Sequence, residues 1–447
     1  MVVEAWLVRA AATRPQRVAL VTPQGDRTYG ELLRAVGVAA AWMTERGVGP
    51  GDRVALALKP GLAFAEALHA CLLLGAVAVP IDVRLHAPER TALRVGTRLT
   101  VDNPCWEGAH GPAGGSPQMP GDARHDLDAP AVVVHTSGTT SAPRPVVLTY
   151  GNLLWSALGS SVALGVDLQE RWLCALPVAH VGGLSVLVRS AIYATTAIVH
   201  EHFETDRVLH SLRTEQITMV SVVATTLRRL LDAGLERPPA LRCALAGGGP
   251  VPPALLGRAR DAGVPVCQTY GLTESCSQAA TTPLAARDDS APSAGPPLFC
   301  TRAAISPAGE ILLRGPTVAP GALGEDGWLH TGDLGHLDEL GRLHVTGRAA
   351  DTIISGGENV APAEVEAVLE AHPDVAEAAV VAHADLRWGE AVTAIVVPRG
   401  DARPGSETLR VHCAEHLAAF KVPRRFVHRT EPLPRTRSGK LLRRGLS

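Results

Sequence analysis

Residues 135–152 read HTSGTTSAPRPVVLTYGN. Thr136, Ser137, Gly138, Thr139 and Thr140 stand together as five small or hydroxylated residues. An apolar run, 131–134, leads into them and a second, 146–148, leads out, so the stretch reads as strand, tight polar turn, strand. Such a turn gathers backbone N–H groups and hydroxyls at one spot, which suits phosphate oxygens. A Ser/Thr-rich surface connector has the same composition. The Walker P-loop is excluded, because no G-x-x-x-x-G-K-S/T occurs.

The whole chain has 447 residues, 46% of them hydrophobic, enough for a large core and two or more domains. A formal net charge of −2 gives no basic field for nucleic acid. The eight cysteines show no C-x-x-C spacing and sit mostly in apolar segments, as buried thiols of a reducing cytosol do. The opening MVVEAWLVRAA lacks the basic and long apolar regions of a signal peptide. Glu66, His69 and Arg189 interrupt the most apolar stretches. A cytoplasmic chain with no transmembrane segment is expected; self-association is left open.

The pattern around the opening stretch alternates helix and strand, which implies a wound α/β sheet. Helices are expected over 3–14, over 29–46 with Gly47 as the stop, and over 63–74 ending at Gly75. Residues 102–130 read as a loop, and Asn152 as the cap of a helix from 153. Strand 173–176 ends in Pro177-Val178-Ala179-His180, and Gly182-Gly183 opens an apolar helix carrying Arg189. Strand 243–246 ends at Gly247-Gly248-Gly249, and strand 266–269 at Tyr270-Gly271-Leu272-Thr273-Glu274. Small or reactive residues thus recur at strand ends, where wound sheets bind ligands. Beyond 328 the texture changes to a hairpin turning at 338–341, then a small α+β unit. That unit has a helix near Pro362, strands 376–382 and 391–397, a helix over 407–420 and a basic loop, PRTRSGK, at 434–440.

Taken together, these stretches resemble the adenylate-forming superfamily of acyl- and aryl-CoA ligases, luciferases and adenylation domains. HTSGTTSAPRP resembles its phosphate loop, TYGLTE its second nucleotide motif, and GWLHTGDLG with the later GR its ribose motif. ISGGENVAPAEVE resembles the start of its C-terminal domain and LPRTRSGKLLR its closing lysine motif. The likeness covers nearly the whole chain in the family's motif order. It implies a large N-terminal domain, 1–349, of wound α/β sheets plus a distorted β-barrel-like part, and a small mobile α+β C-terminal domain, 350–447. ALPVAHVGGLSVLVRSAIY and TYGLTESCSQ look most like the o-succinylbenzoate–CoA ligase branch.

The resemblance implies two half-reactions. A carboxylate attacks the α-phosphorus of ATP, and the thiol of CoA then displaces AMP. Thr136, Ser137, Gly138, Thr139, Thr140 and Arg144 would hold phosphates, with Arg144 in place of the family's usual lysine. Thr273 would contact the α-phosphate and Glu274 would hold Mg²⁺. Gly248, Gly249 and Tyr270 would frame adenine, Gly271 would belong to the same cofactor-binding set, and Asp333 with Arg348 would frame the ribose. Lys440 would bridge carboxylate and α-phosphate. His180 would border the acyl pocket, and Gly356 and Gly357 the pantetheine tunnel. Arg189 would take a second substrate carboxylate; an internal ion pair is the other reading. The family's hinge position falls on Ala350, followed by Asp351. Amino-acid-activating relatives tend to carry an acidic residue near His180, and none stands here. Ser141 and Pro145 replace usual glycines, so the loop is expected to be stiffer. Other aryl or fatty acids, a carrier-protein acceptor, and a non-catalytic adenylate-binding protein are the rival functions.

Overall fold

The computed structural model describes residues 1–104, 106, 123–136, 144–286, 293–355, 357–385, 387–436, 441–443, 445 and 446. Its centre is an eight-stranded sheet. From one edge the order is Ala280–Thr281, Val266–Tyr270, Cys243–Ala246, Met219–Val222, Arg171–Cys174, Thr196–Val199, Val18–Thr22 and Gly25–Thr28. The strands from Val266–Tyr270 to Val18–Thr22 run parallel. They are short, apolar and buried on both faces, as parallel strands under helices must be. A five-stranded sheet carries Pro130–Thr136 and, antiparallel on its edge, Arg144–Thr149. Pro145 therefore stands in an edge strand, where a missing N–H is tolerated.

Between these sheets lies the Leu62–Leu74 helix, apolar all round and almost wholly buried. Gly75 ends it in the left-handed region at φ 70°. Its Glu66 is buried but satisfied: Trp106 Nε1 donates to Oε2 at 2.9 Å, and Arg27 lies 3.8 Å from Oε1. Among the described residues no helix is long and apolar enough to cross a membrane. Seven described cysteines are unbridged, six of them buried. Burial pushes the thiols of Cys71, Cys174 and Cys276 up to about 12, which keeps them unreactive.

A four-stranded antiparallel sheet follows, Arg302–Ile305, Glu310–Arg314, Leu329–Leu337 and Leu343–Arg348. Its last hairpin turns where expected: Asp338 Oδ1 accepts from the N–H groups of Leu340 and Arg342, and Gly341 takes φ 72°. Beyond residue 350 the long strands Val375–Asp385 and Gly389–Pro398 pair antiparallel, with the Pro362–Ala371 and Ser406–His416 helices packed against them. The apolar clusters of this unit contain only residues from 353 onward.

Four expectations are corrected. Residues 2–4 form a strand paired with Arg124–Asp126, so the first helix begins only at Trp6 and the 102–130 segment is not all loop. The helix after the opening stretch starts at Tyr150, capped by Thr149. Asn152 sits three residues inside it, its Oδ1 accepting from the Thr149 N–H at 2.9 Å, so it completes a capping box. The last helix stops at His416, because Leu417 is already extended.

A buried pair offers a check on this packing. Glu170, 3% exposed, accepts from Arg242 Nε at 2.9 Å and Thr218 Oγ1 at 2.5 Å, while Arg242 Nη1 donates to Leu164 O at 2.6 Å. Arg242→Met strands that carboxylate, and denaturant unfolding should show a loss of about 3 kcal/mol.

Candidate active site

Parallel strands put their carboxyl ends on one edge, and the glycine-rich and reactive segments leave from there. Cys243–Ala246 runs into Gly247-Gly248-Gly249 beside Val266–Tyr270, which runs into Gly271-Leu272-Thr273-Glu274. Gly248 needs its φ of +77°, and around Gly249 no atom lies within 4 Å of an added Cβ. Gly271 has no such room: a Cβ there would lie 1.5 Å from the Ser277 carbonyl oxygen. The chain doubles back tightly, with Cys276 and Ser277 at φ 53° and 90°.

Three separated candidates meet in one network. The Tyr270 hydroxyl donates to Asp333 Oδ2 at 2.8 Å, and Arg348 Nε lies 2.9 Å from Asp333 Oδ1. Asp333 and Arg348 face each other across the antiparallel ladder, and Asp333 is buried. Burial, and then the Asp333 charge, push the Tyr270 phenol well above its ordinary value, so it stays a donor. The Thr331 hydroxyl accepts from the Asp333 N–H at 3.1 Å. A fixed carboxylate at the mouth of a strand-end turn can accept paired hydroxyls.

Glu274 is half-buried, and its backbone carbonyl accepts from Ala319 N–H at 2.8 Å. Its carboxylate takes no hydrogen bond or ion pair among the described residues, which leaves hard oxygens available to a magnesium ion and fits that group. Two residues nearby tie this bend to the opening stretch. The Asn152 amide donates to the carbonyls of Pro316 and Val318 at 2.8 and 3.0 Å. The helix that follows the polar turn is thereby fastened beside the Glu274 segment. Asn152 in this bridging role went unread in the sequence, where a buried amide looks like any cap.

Arg189 is the outlying charge. It lies 2% exposed on the Val181–Tyr193 helix, and burial lowers its pKa. The ion-pair reading fails among the described residues. Arg189 Nη2 instead donates to Ser156 Oγ at 2.9 Å, and its Cζ lies 5.7 Å from the centre of the Trp172 ring. Ser156 in turn donates to Cys276 O at 2.6 Å, in the bend after Glu274. Ser156 was not legible as functional, since its partners come from 33 and 120 residues away. His180 is half-buried at the start of the same helix, its N–H donating to Pro177 O at 3.1 Å. Burial opposes the charge of Asp82, but Arg84 and His180 hold its carboxyl below the ordinary range.

The remaining described candidates make local contacts. Thr136 donates to Arg144 O at 3.3 Å, and Arg144 is exposed on the edge strand. Thr273 is half-buried in the bend, its carbonyl accepting from Cys276 N–H at 3.0 Å. Gly357 turns between two short strands of the small unit at φ 86°, exposed. Ser137, Gly138, Thr139, Thr140, Ser141, Gly356 and Lys440 lie outside the described residues. A cavity of ≈510 Å³ at the other end of Val266–Tyr270, lined by Arg260, Gln268 and Pro283, holds none of the candidates.

The AMP-binding enzyme model matches residues 7–95 and 90–323, and the AMP-binding enzyme C-terminal domain model matches 364–440. A 2-succinylbenzoate–CoA ligase of Bacillus subtilis is 38% identical over 99% of this chain and 97% of its own. The o-succinylbenzoate CoA synthetase of Bacillus subtilis in complex with the acyl-adenylate intermediate OSB-AMP superposes with a TM-score of 0.90 at 37% identity, covering 100% of this chain and 98% of that one. The same enzyme with ATP and magnesium ion gives 0.89 at 37% identity and full coverage of both chains. A double mutant of it bound to the product analogue OSB-NCoA gives 0.73 at 36% identity, covering 99% and 98%.

The glycine geometry predicts a graded series in denaturant unfolding. Gly271→Ala should cost about 3 kcal/mol or more through overpacking. Gly248→Ala should cost about 1–2 kcal/mol from its left-handed backbone, and Gly249→Ala no more than about 0.5 kcal/mol.

Proposed function

We propose, for a chain that belongs to the AMP-binding enzyme family, the activity of an AMP-forming acid–thiol ligase that joins o-succinylbenzoate to CoA in menaquinone biosynthesis. The products are o-succinylbenzoyl-CoA, AMP and diphosphate. Full-length likeness to 2-succinylbenzoate–CoA ligases supports the acid. The observation that carries it physically is Arg189, a buried guanidinium with no carboxylate partner among the described residues, hydrogen-bonded to the wall of the bend that carries Glu274. A charge so placed is costly until an anion meets it. The second, succinyl carboxylate of o-succinylbenzoate is such an anion.

In the first half-reaction a carboxylate oxygen forms a bond to the α-phosphorus of ATP, and the bond to the β-phosphate oxygen breaks. Diphosphate leaves with that electron pair. In the second, the thiol sulfur of CoA bonds to the acyl carbon, the thiol proton is lost, and AMP leaves. Both steps concentrate negative charge, so they depend on donors fixed in advance. Asp333, held by Tyr270 and Arg348, accepts the ribose hydroxyls, and Gly248 and Gly249 let the adenine ring lie against backbone. Thr273 donates to the α-phosphate. The turn at 136–140 and Arg144 hold the outer phosphates, and Lys440 bridges carboxylate and α-phosphate. Glu274 would hold magnesium, which when bound neutralises phosphate charge. His180 borders the acyl pocket, and Gly356 and Gly357 line the thiol's approach. We place the boundary between the two units at Ala350 and the enzyme in the cytoplasm.

A panel of acids tests this reading by CoA-thioester formation and diphosphate release. O-succinylbenzoate should be the preferred acid; a different aryl or fatty acid, or a carrier-protein acceptor, would displace the substrate assignment. Absence of ATP–diphosphate exchange with every acid would support a non-catalytic protein. Arg189→Ala should raise KM for o-succinylbenzoate about tenfold or more and leave KM for ATP nearly unchanged. Equal effects on both would remove Arg189 from the acyl pocket.

A further inference from the structure

The two units meet at a polar joint. Arg228, on the Ala224–Asp232 helix of the large unit, donates through Nη2 to Glu370 Oε2 at 2.9 Å and through Nη1 to the Ala376 carbonyl. Glu370 lies on the Pro362–Ala371 helix and Ala376 on the Val375–Asp385 strand, both in the small unit. The side chains of Arg228 and Glu370 are only 22% and 11% exposed. Between described residues, no other ion pair joins the chain before 350 to the chain after it. Glu366, on the same helix as Glu370, is paired with Arg443, which also binds Asp351 at 3.0 Å.

The Bacillus subtilis synthetase superposes less well on this chain in its product-analogue complex than in its acyl-adenylate complex, at nearly equal coverage. Those two structures therefore differ in arrangement, and this chain has that of the acyl-adenylate complex.

We infer that Arg228 is a positioning residue for acyl-adenylate formation, holding the small unit in the arrangement of the first half-reaction and releasing it for the second. This rests on the two-step ligase reading. The chemistry suits a joint that opens. One guanidinium serves a carboxylate and a carbonyl at once, which fixes orientation. Desolvation of both charges offsets much of their attraction, so the net hold is modest and reversible. When the units part, Arg228 and Glu370 each regain water, and Glu366 keeps its own partner.

The test uses the full-length protein and any acid that supports exchange. Arg228→Ala should slow acid-dependent ATP–diphosphate exchange by about fivefold to thirtyfold. Thioester formation from supplied acyl-adenylate and CoA should be unchanged. Combining Arg228→Glu with Glu370→Arg should regain part of the exchange lost in Arg228→Glu alone. Equal slowing of both half-reactions, or no rescue in a double variant with unchanged Tm, would overturn the assignment. Because the acid is chosen by exchange, failure of the o-succinylbenzoate assignment appears separately, as a wild-type protein that prefers another acid.

Discussion

The hydrogen bond from Tyr270 to Asp333 joins the carboxyl end of a parallel strand to an antiparallel sheet, and the candidate site is arranged around that joint. The parallel sheet supplies turns where backbone can approach a ring. The antiparallel sheet supplies a buried carboxylate aligned by its ladder with Arg348. Neither sheet alone presents both. Gly271 makes the joint possible, since any side chain there would collide with the returning chain at Ser277.

Around the joint, charge is distributed unevenly. Asp333 is held on both carboxylate oxygens, by Tyr270 and by Arg348, as a group that must keep one orientation has to be. Glu274 and Arg189 are left without a counter-charge among the described residues, one a bare carboxylate and one a buried cation. Such residues oppose folding, and proteins retain them where a ligand completes the pairing. The Ser156 bridge links the cation to the Cys276 carbonyl, in the bend that follows Glu274.

Much of this was legible in the sequence because it is local. The turn at Asp338, the stop at Gly75 and the glycine run after Ala246 follow from backbone rules that act over a few residues. The motif order likewise carried the family and the α/β class. The rest depended on contacts between distant residues. Val2–Glu4 became a strand because Arg124–Asp126 pairs with it, a tertiary choice that helical periodicity cannot register. Thr149 and Asn152 both take part in the cap, and only the carbonyls at 316 and 318 reveal the second role of the Asn152 amide. Arg228 reads as one more surface arginine on an amphipathic helix, because its partners lie 142 and 148 residues away.

Acyl-adenylate formation requires that a carboxylate oxygen of the acid bond to the α-phosphorus of ATP before CoA reacts. Turnover of o-succinylbenzoate labelled with ¹⁸O in the reacting carboxylate, followed by mass analysis of the nucleotide, tests it directly. An acyl-adenylate intermediate leaves one labelled oxygen in the phosphate of AMP and none in diphosphate. Unlabelled AMP, or label in diphosphate, would contradict it.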